Sequence, residues 1–184
     1  MAHQAAELLA ELRQDHRNMA ILLDLVQQEV DRLGHPDETP DFELLHEVMR
    51  YMTVYPDTMH HPKEDLIYAG MKAKQPELAE GLEEVEVDHK DIAELGKRLR
   101  DDVEAVVAGT IVARERVVGD AQQYVHRLRE HMQWEEEDLF PRADAMGDGL
   151  KLDTSHLDAA DPVFGVQRDT SFANLSQTVE RDAQ

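Results

Sequence analysis

The chain has 184 residues, a formal charge of −21 and no cysteine. Its length allows one domain with a real core, its charge repels nucleic-acid phosphates and anionic membrane surfaces alike, and the absent thiols exclude disulfides, iron–sulfur clusters, thiolate metal sites and cysteine nucleophiles. Hydrophobic residues make up 41% but aromatic ones only 5%, so the core must be aliphatic, which suits helices better than sheet.

Met1–Ala10 contains Glu7 and no cationic lead into an apolar run, so it does not read as a secretory signal. No stretch approaches the roughly 18 apolar residues of a membrane span, and cytoplasmic residence is expected. The first periodic segment runs from about Gln4 to Leu33. Leu8, Leu12, Met19, Leu23, Val26, Val30 and Leu33 recur at steps of three, four or seven, the pattern of one helix face, and Gly34 and Pro36 stop it. The second starts after Thr39-Pro40-Asp41 and continues to about Lys72 through Leu45, Met49, Met52 and Ile67. Pro56 and Pro62 fall inside it and predict a kink or a loosened turn.

The third segment is predicted from Pro76, with Leu78, Leu82, Val85, Ile92, Leu99, Val103 and Val106 on its inner face and Gly109 at its close. The fourth opens near Thr110 and passes Val117, Ala121, Tyr124 and Leu128 to reach Leu139 and Phe140 before Pro141. Short connections between four long helices predict an all-α, up-down-up-down antiparallel four-helix bundle over residues 1–146. Residues 147–184, from Gly147-Asp148-Gly149 onward, read as an irregular tail that wraps the bundle or a partner subunit. Thr170 or Ser171 is expected to cap a short helix there, whose Phe172, Leu175 and Val179 offer an apolar stripe and a homodimer contact.

An internal duplication carries the chemistry. Asp15-His16-Arg17-Asn18-Met19-Ala20-Ile21-Leu22 parallels Asp88-His89-Lys90-Asp91-Ile92-Ala93-Glu94-Leu95. The first copy is followed by His60-His61-Pro62-Lys63-Glu64-Asp65 and the second by His131-Met132-Gln133-Trp134-Glu135-Glu136. In each, a histidine precedes a glutamate by four residues, and the two histidines of a copy are 44 and 42 residues apart. His16 lies 17 residues before Leu33 and His60 lies 19 after Asp41; His89 lies 20 before Gly109 and His131 lies 21 after Thr110. Equal distances from a shared turn mean equal height in an antiparallel bundle, so the four histidines are expected in one layer.

They also continue the inward faces. His89 fits the series Leu82, Val85, Ile92, and His131 with Glu135 follows Tyr124 and Leu128. A His and a Glu at i and i+4 share a helix face. A lone histidine on an apolar stripe is ordinarily a hydrogen-bonded core residue, but a buried carboxylate without a partner costs several kcal/mol. No Lys or Arg can be placed at the level of Glu64 or Glu135, and a cation is the natural compensation. Six nitrogen and oxygen ligands are too many for one tetrahedral zinc and too nitrogen-rich for calcium or magnesium. Two metal ions bridged by two carboxylates fit the count; iron or manganese can use such a site and keep a position open, with zinc a substitute.

These motifs, together with Leu139-Phe140-Pro141, resemble the hemerythrin-like, HHE cation-binding family over about Leu8 to Arg142. The resemblance implies an oxo- or hydroxo-bridged di-iron centre, with Glu64 and Glu135 as bridges and His16, His60, His89 and His131 as iron ligands. Oxygen-carrying hemerythrins have five terminal histidines and a bridging aspartate where this chain has Glu135. His61 is carried as a further candidate ligand because Pro62 disturbs its turn. His126 falls about 200° from Leu128 around the helix and reads as outward, as do His3, His35, His46 and His156.

Asp15 and Asp88 precede candidate ligands and could orient imidazoles from behind, but adjacent residues do not share a helix face, so they read as solvated, and Glu136-Glu137-Asp138 as wet surface. Met19, Met49, Met52 and Met59 read as core filling. Three functions stay open on these residues: a module that binds or senses oxygen, nitric oxide or peroxide; a di-iron oxidoreductase acting on the same molecules; and an iron store or structural metal site. Steady turnover with an electron donor separates the second from the first.

Overall fold

The computed structural model describes residues 2–146, 151–154, 157 and 160–182; Gly147-Asp148-Gly149 and His156 lie outside the described residues. The first segment forms α1, Ala5–Gly34, and its periodic face is buried throughout. The second is split into α2, Phe42–Met52, and α3, His61–Lys74, by a π-helical turn at Pro56–His60. Asp41 opens α2 by accepting from the Leu44 amide at 2.9 Å. The third forms α4, Leu82–Val107, and the fourth α5, Arg114–Trp134, a second π-helical turn at Glu135–Leu139 and the short α6, Phe140–Asp144.

Both π turns have the same cause. Pro62 is the second residue of α3 and Pro141 the second of α6. A proline lacks the N–H of the regular ladder and its ring crowds the carbonyl four residues back, so the preceding amide reaches one residue further. His61 donates to the Pro56 carbonyl and Phe140 to that of Glu135. Pro141 therefore reshapes the fourth segment rather than ending it.

Two predicted starts move. Pro76–Leu78 forms only a 3-10 turn, and Gly81, at φ 87°, takes a left-handed conformation that resets the chain before α4. The fourth helix begins at Arg114, four residues beyond Thr110. Helix α1 packs on α2 and α5, and α4 packs on the same two, which makes the body a helical bundle. Among the described residues no helix is long and apolar enough to cross a membrane.

The tail is not wholly irregular. Strand β1, Ala2–Gln4, pairs antiparallel with β2, Lys151–Asp153, a contact too short to leave a periodicity in the sequence. Further on, a 3-10 turn at Thr170–Phe172 leads into α7, Ala173–Asp182. The cap is Asp169, whose carboxylate accepts from the Ser171 amide, rather than Thr170 or Ser171. Phe172 and Leu175 are buried in the chain's own core, the Arg50 guanidinium lies 4.7 Å above the Phe172 ring, and the Leu175 amide donates to Glu47. That stripe is thus occupied within the chain.

The buried apolar residues fall into two clusters, and the interval between them positions the site. One cluster takes Leu8 and Leu12 of α1, Ile67 of α3, Leu82 and Val85 of α4, and Leu139 and Phe140. The other takes Met19 onward in α1, α2 through Met59, Ile92 onward in α4, and α5 through Met132. Four stretches of chain cross from one cluster to the other; His16, His60, Glu64, His89 and Glu135 lie in the crossing, and His131 at its edge beside Met132. Above it, Gly96 lets α4 approach Tyr124 and Thr53. A Cβ there would stand 2.9 Å from Tyr124 Cε2 and 3.2 Å from Thr53 Cγ2, so the buried tyrosine ring would have to shift. Gly96→Ala is expected to destabilise by about 1–3 kcal/mol, a fall of about 2–10 °C in a thermal melt; an unchanged melting temperature would refute this packing.

Candidate metal centre

Each residue of the crossing comes from a different turn, and their inner atoms converge. His16 Nε2 lies 3.2 Å from His60 Nε2, and His89 Nε2 lies 3.0 Å from His131 Nε2. The carboxylates link the two histidine pairs. Glu64 Oε1 is 3.0 Å from His60 Nε2 while its Oε2 is 3.5 Å from His89 Nε2. Glu135 Oε2 is 3.3 Å from His16 Nε2 and 3.5 Å from His131 Nε2. Both glutamates are 0% exposed.

These atoms crowd together without satisfying one another. Neither Glu64 oxygen nor Glu135 Oε2 has a hydrogen-bond partner, although buried polar atoms are nearly always paired. Lys63, buried beside Glu64 in sequence, turns instead to Asp15 and Glu11, each at 3.3 Å. Two nitrogens each about 2.1 Å from a shared cation, at right angles to one another there, stand about 3.0 Å apart; the two histidine pairs have that spacing. Ligand atoms of His16, His60, Glu64 and Glu135 lie within 4.8 Å of one another, as do those of His89, His131 and Glu135, and those of His61, Glu64 and His89. The cluster could hold metal, with both glutamates shared between groups.

The outer ring nitrogens of His60 and His16 are held by acids. Asp15 Oδ2 accepts from His60 Nδ1 at 3.3 Å and also from Lys63 Nζ, while Asp15 Oδ1 accepts from the Tyr55 hydroxyl at 3.1 Å. Glu136 Oε1 lies 3.1 Å from His16 Nδ1. His131 Nδ1 faces Asp88 Oδ2 at 3.5 Å, and Asp88 is paired with Arg127. A carboxylate on the outer N–H fixes the tautomer and turns the other nitrogen's lone pair inward. Asp15, Asp88 and Glu136 are therefore not simply solvated. Each Asp of an Asp-His dipeptide reaches sideways to the histidine of the neighbouring helix, a partner that same-helix geometry does not reveal.

Tyr68 is the other residue missed in the sequence. Its hydroxyl donates to Glu135 Oε1 at 2.9 Å, leaving Oε2 to face both histidine pairs. The signal was present: His60, Glu64 and Tyr68 repeat at four-residue steps along one face.

The electrostatics differ across the layer. Burial pulls the His60 imidazole down, but the field of Glu64 and the hydrogen bond to Asp15 outweigh it and push its pKa up to about 10. Burial likewise lowers His16, and the nearby Glu135 and Glu136 carboxylates raise it on balance. For Glu64, burial acts upward, yet the His60 charge beside it holds the carboxyl well below its usual range. His89 goes the other way: burial, then the fields of His61 and His131, push it down to about 3, so its lone pair is free at neutral pH.

His61 does not point its Nδ1 into the layer. That nitrogen lies 3.2 Å from Asp57 Oδ1, and the ring stacks on His89 with centroids 3.8 Å apart. Outward placement holds for His126, which is exposed and paired with Glu130, and for His35, bonded to the Asp31 carbonyl. The four methionines are buried as core filling. A cavity of about 180 Å³ adjoins the histidines, with Met19, Met52, Ile92 and Leu128 in its apolar wall.

Comparison with known proteins agrees with this arrangement of donors. The family model described as the hemerythrin HHE cation-binding domain matches residues 7–143. No curated protein and no solved structure matches the chain.

Proposed function

The chain belongs to the hemerythrin HHE cation-binding domain family, and on that premise we propose that it is a non-haem di-iron protein that binds a small ligand, oxygen, nitric oxide or peroxide, at a carboxylate-bridged centre. His16 and His60 would hold one ion and His89 and His131 the other, with Glu64 and Glu135 shared between them. The observation that carries this reading is the pair of fully buried carboxylates, three of whose four oxygens lack hydrogen bonds, and each of which faces a histidine nitrogen from each pair. Two cations would neutralise those oxygens and occupy the space the nitrogens leave between them.

The up-down-up-down course of the helices belongs to the same reading. His16 meets His60, and His89 meets His131, at the height that equal distances from the intervening turns require. Nitrogen and oxygen donors of this mixture suit iron, and also manganese or zinc. A bound iron pair would supply redox-active Lewis acids with open positions. The protein's own part is to hold imidazole lone pairs inward through Asp15 and Glu136, to pin Glu135 through Tyr68, and to keep an apolar cavity beside the histidines, where a small molecule is favoured over bulk water.

The test is metal analysis of protein expressed with ample iron, then absorption spectra of the reduced protein under anaerobic titration with nitric oxide, oxygen and peroxide. Two irons per chain and a saturable spectral change with at least one of the three are expected. A di-iron protein inert to all three would remove the ligand-binding role, and a metal-free preparation would remove the centre.

A further inference from the structure

His61 has a ligand atom within reach of the centre and yet is engaged elsewhere. One of its ring nitrogens lies within 4.8 Å of ligand atoms of Glu64 and His89. Its Nδ1 is 3.2 Å from the Asp57 carboxylate, one turn back, which fixes the orientation of the ring. Its ring lies flat against His89, 19° from parallel, so that its face and not its nitrogen edge is turned to that neighbour. The backbone favours neither fate: His61 is the first residue after the π-helical turn, where its amide already reaches back to Pro56. The side chain is about 20% exposed and that of Asp57 about 54%, and both line the cavity beside the histidines.

We infer that Asp57 is a positioning residue that holds His61 away from the metal pair and so keeps open the coordination position beside His89. The inference rests on the di-iron reading above. His61 lines the cavity together with His89. Released from Asp57, its imidazole becomes a fifth nitrogen ligand and competes with any small molecule for that position.

The experiment compares the parent with Asp57→Ala, Asp57→Asn, His61→Ala and the double variant Asp57→Ala/His61→Ala, all iron-loaded and oxidised, with azide as the probe followed by absorption. Asp57→Ala is expected to weaken azide binding at least about 10-fold. Asp57→Asn keeps an acceptor oxygen for His61 and is expected to bind as the parent does, and removing His61 from the Asp57→Ala protein is expected to restore parental affinity. Unchanged affinity in Asp57→Ala, or a double variant as weak as the single one, would overturn the inference. A second readout needs no ligand: in zinc-loaded protein labelled with nitrogen-15 histidine, a His61 nitrogen is expected at a metal-bound shift in Asp57→Ala but not in the parent. His61 already bound in the parent, or unbound in both, would also overturn it. If the parent binds neither azide nor any of the three gases while the zinc spectra behave as expected, the ligand-binding role fails and the latch stands.

Discussion

Glu64→Gln is expected to lower bound iron from two ions per chain to fewer than one, with the helical content unchanged. Glu64 is the one carboxylate whose two oxygens face different histidine pairs, His60 from Oε1 and His89 from Oε2. The amide is nearly the same size but carries no charge, and it replaces one acceptor by a donor. Both metal positions would lose an oxygen, and one would face an N–H group. The metal-free variant is expected to melt below the metal-free parent, because the buried His60 charge loses its partner. Loss of metal with the helical content retained separates a ligand from a residue the fold itself requires. Glu136→Gln is the control: its carboxylate is about 35% exposed and meets the Arg13 guanidinium and the outer nitrogen of His16, not the inward-facing atoms, so two irons should remain. Elemental analysis with circular dichroism reads both variants, and full iron content in Glu64→Gln would remove this residue from the centre.

Much of this arrangement could be read from the amino-acid order, for a specific physical reason. The inner faces of the helices are aliphatic with steps of three and four, so a histidine that keeps the step must point inward, and His16, His89 and His131 do. The repeated spacing of the Asp-His and His-x-x-x-Glu motifs set their heights, and the structure brings these side chains into one layer. What could not be read depends on partners from other helices. Asp15 sits one position off the inner face of α1, yet Tyr55, His60 and Lys63 converge on it from the second segment. Glu136 looked like one more acid in a wet run until α1 supplied His16. Helix starts were illegible for another reason. Pro76 and Thr110 are acceptable first-turn residues, and the shift to Leu82 depends on the left-handed conformation of Gly81, which no periodicity announces.

Metal loading should raise the melting temperature, and the rise should grow with pH. In the metal-free protein the layer is held by protons in place of cations. The folded pKa of His60 stands at about 10, above its ordinary 6.5, so its contribution to stability is complete below about pH 6.5 and is lost as pH climbs through 10. Glu64 is displaced downward, so its contribution is present above its ordinary 4.5 and fades only in acid. The metal-free form is therefore most stable between about pH 4.5 and 6.5. A metal ion needs neutral imidazoles and must displace the protons that His16 and His60 retain, so its affinity rises with pH where those groups are still charged. The proton displaced from His60 alone gives about a 10-fold gain per pH unit, or about 1.4 kcal/mol, which corresponds to about 3–6 °C for a chain of this size. Between pH 5.5 and 7.5 the separation between the metal-loaded and metal-free melting curves is expected to widen by about 6–12 °C at fixed free metal. Differential scanning calorimetry on both forms gives the comparison. A separation that stays flat or narrows over that interval would mean that no protonated imidazole gives way to the metal, and would detach the histidines from the centre.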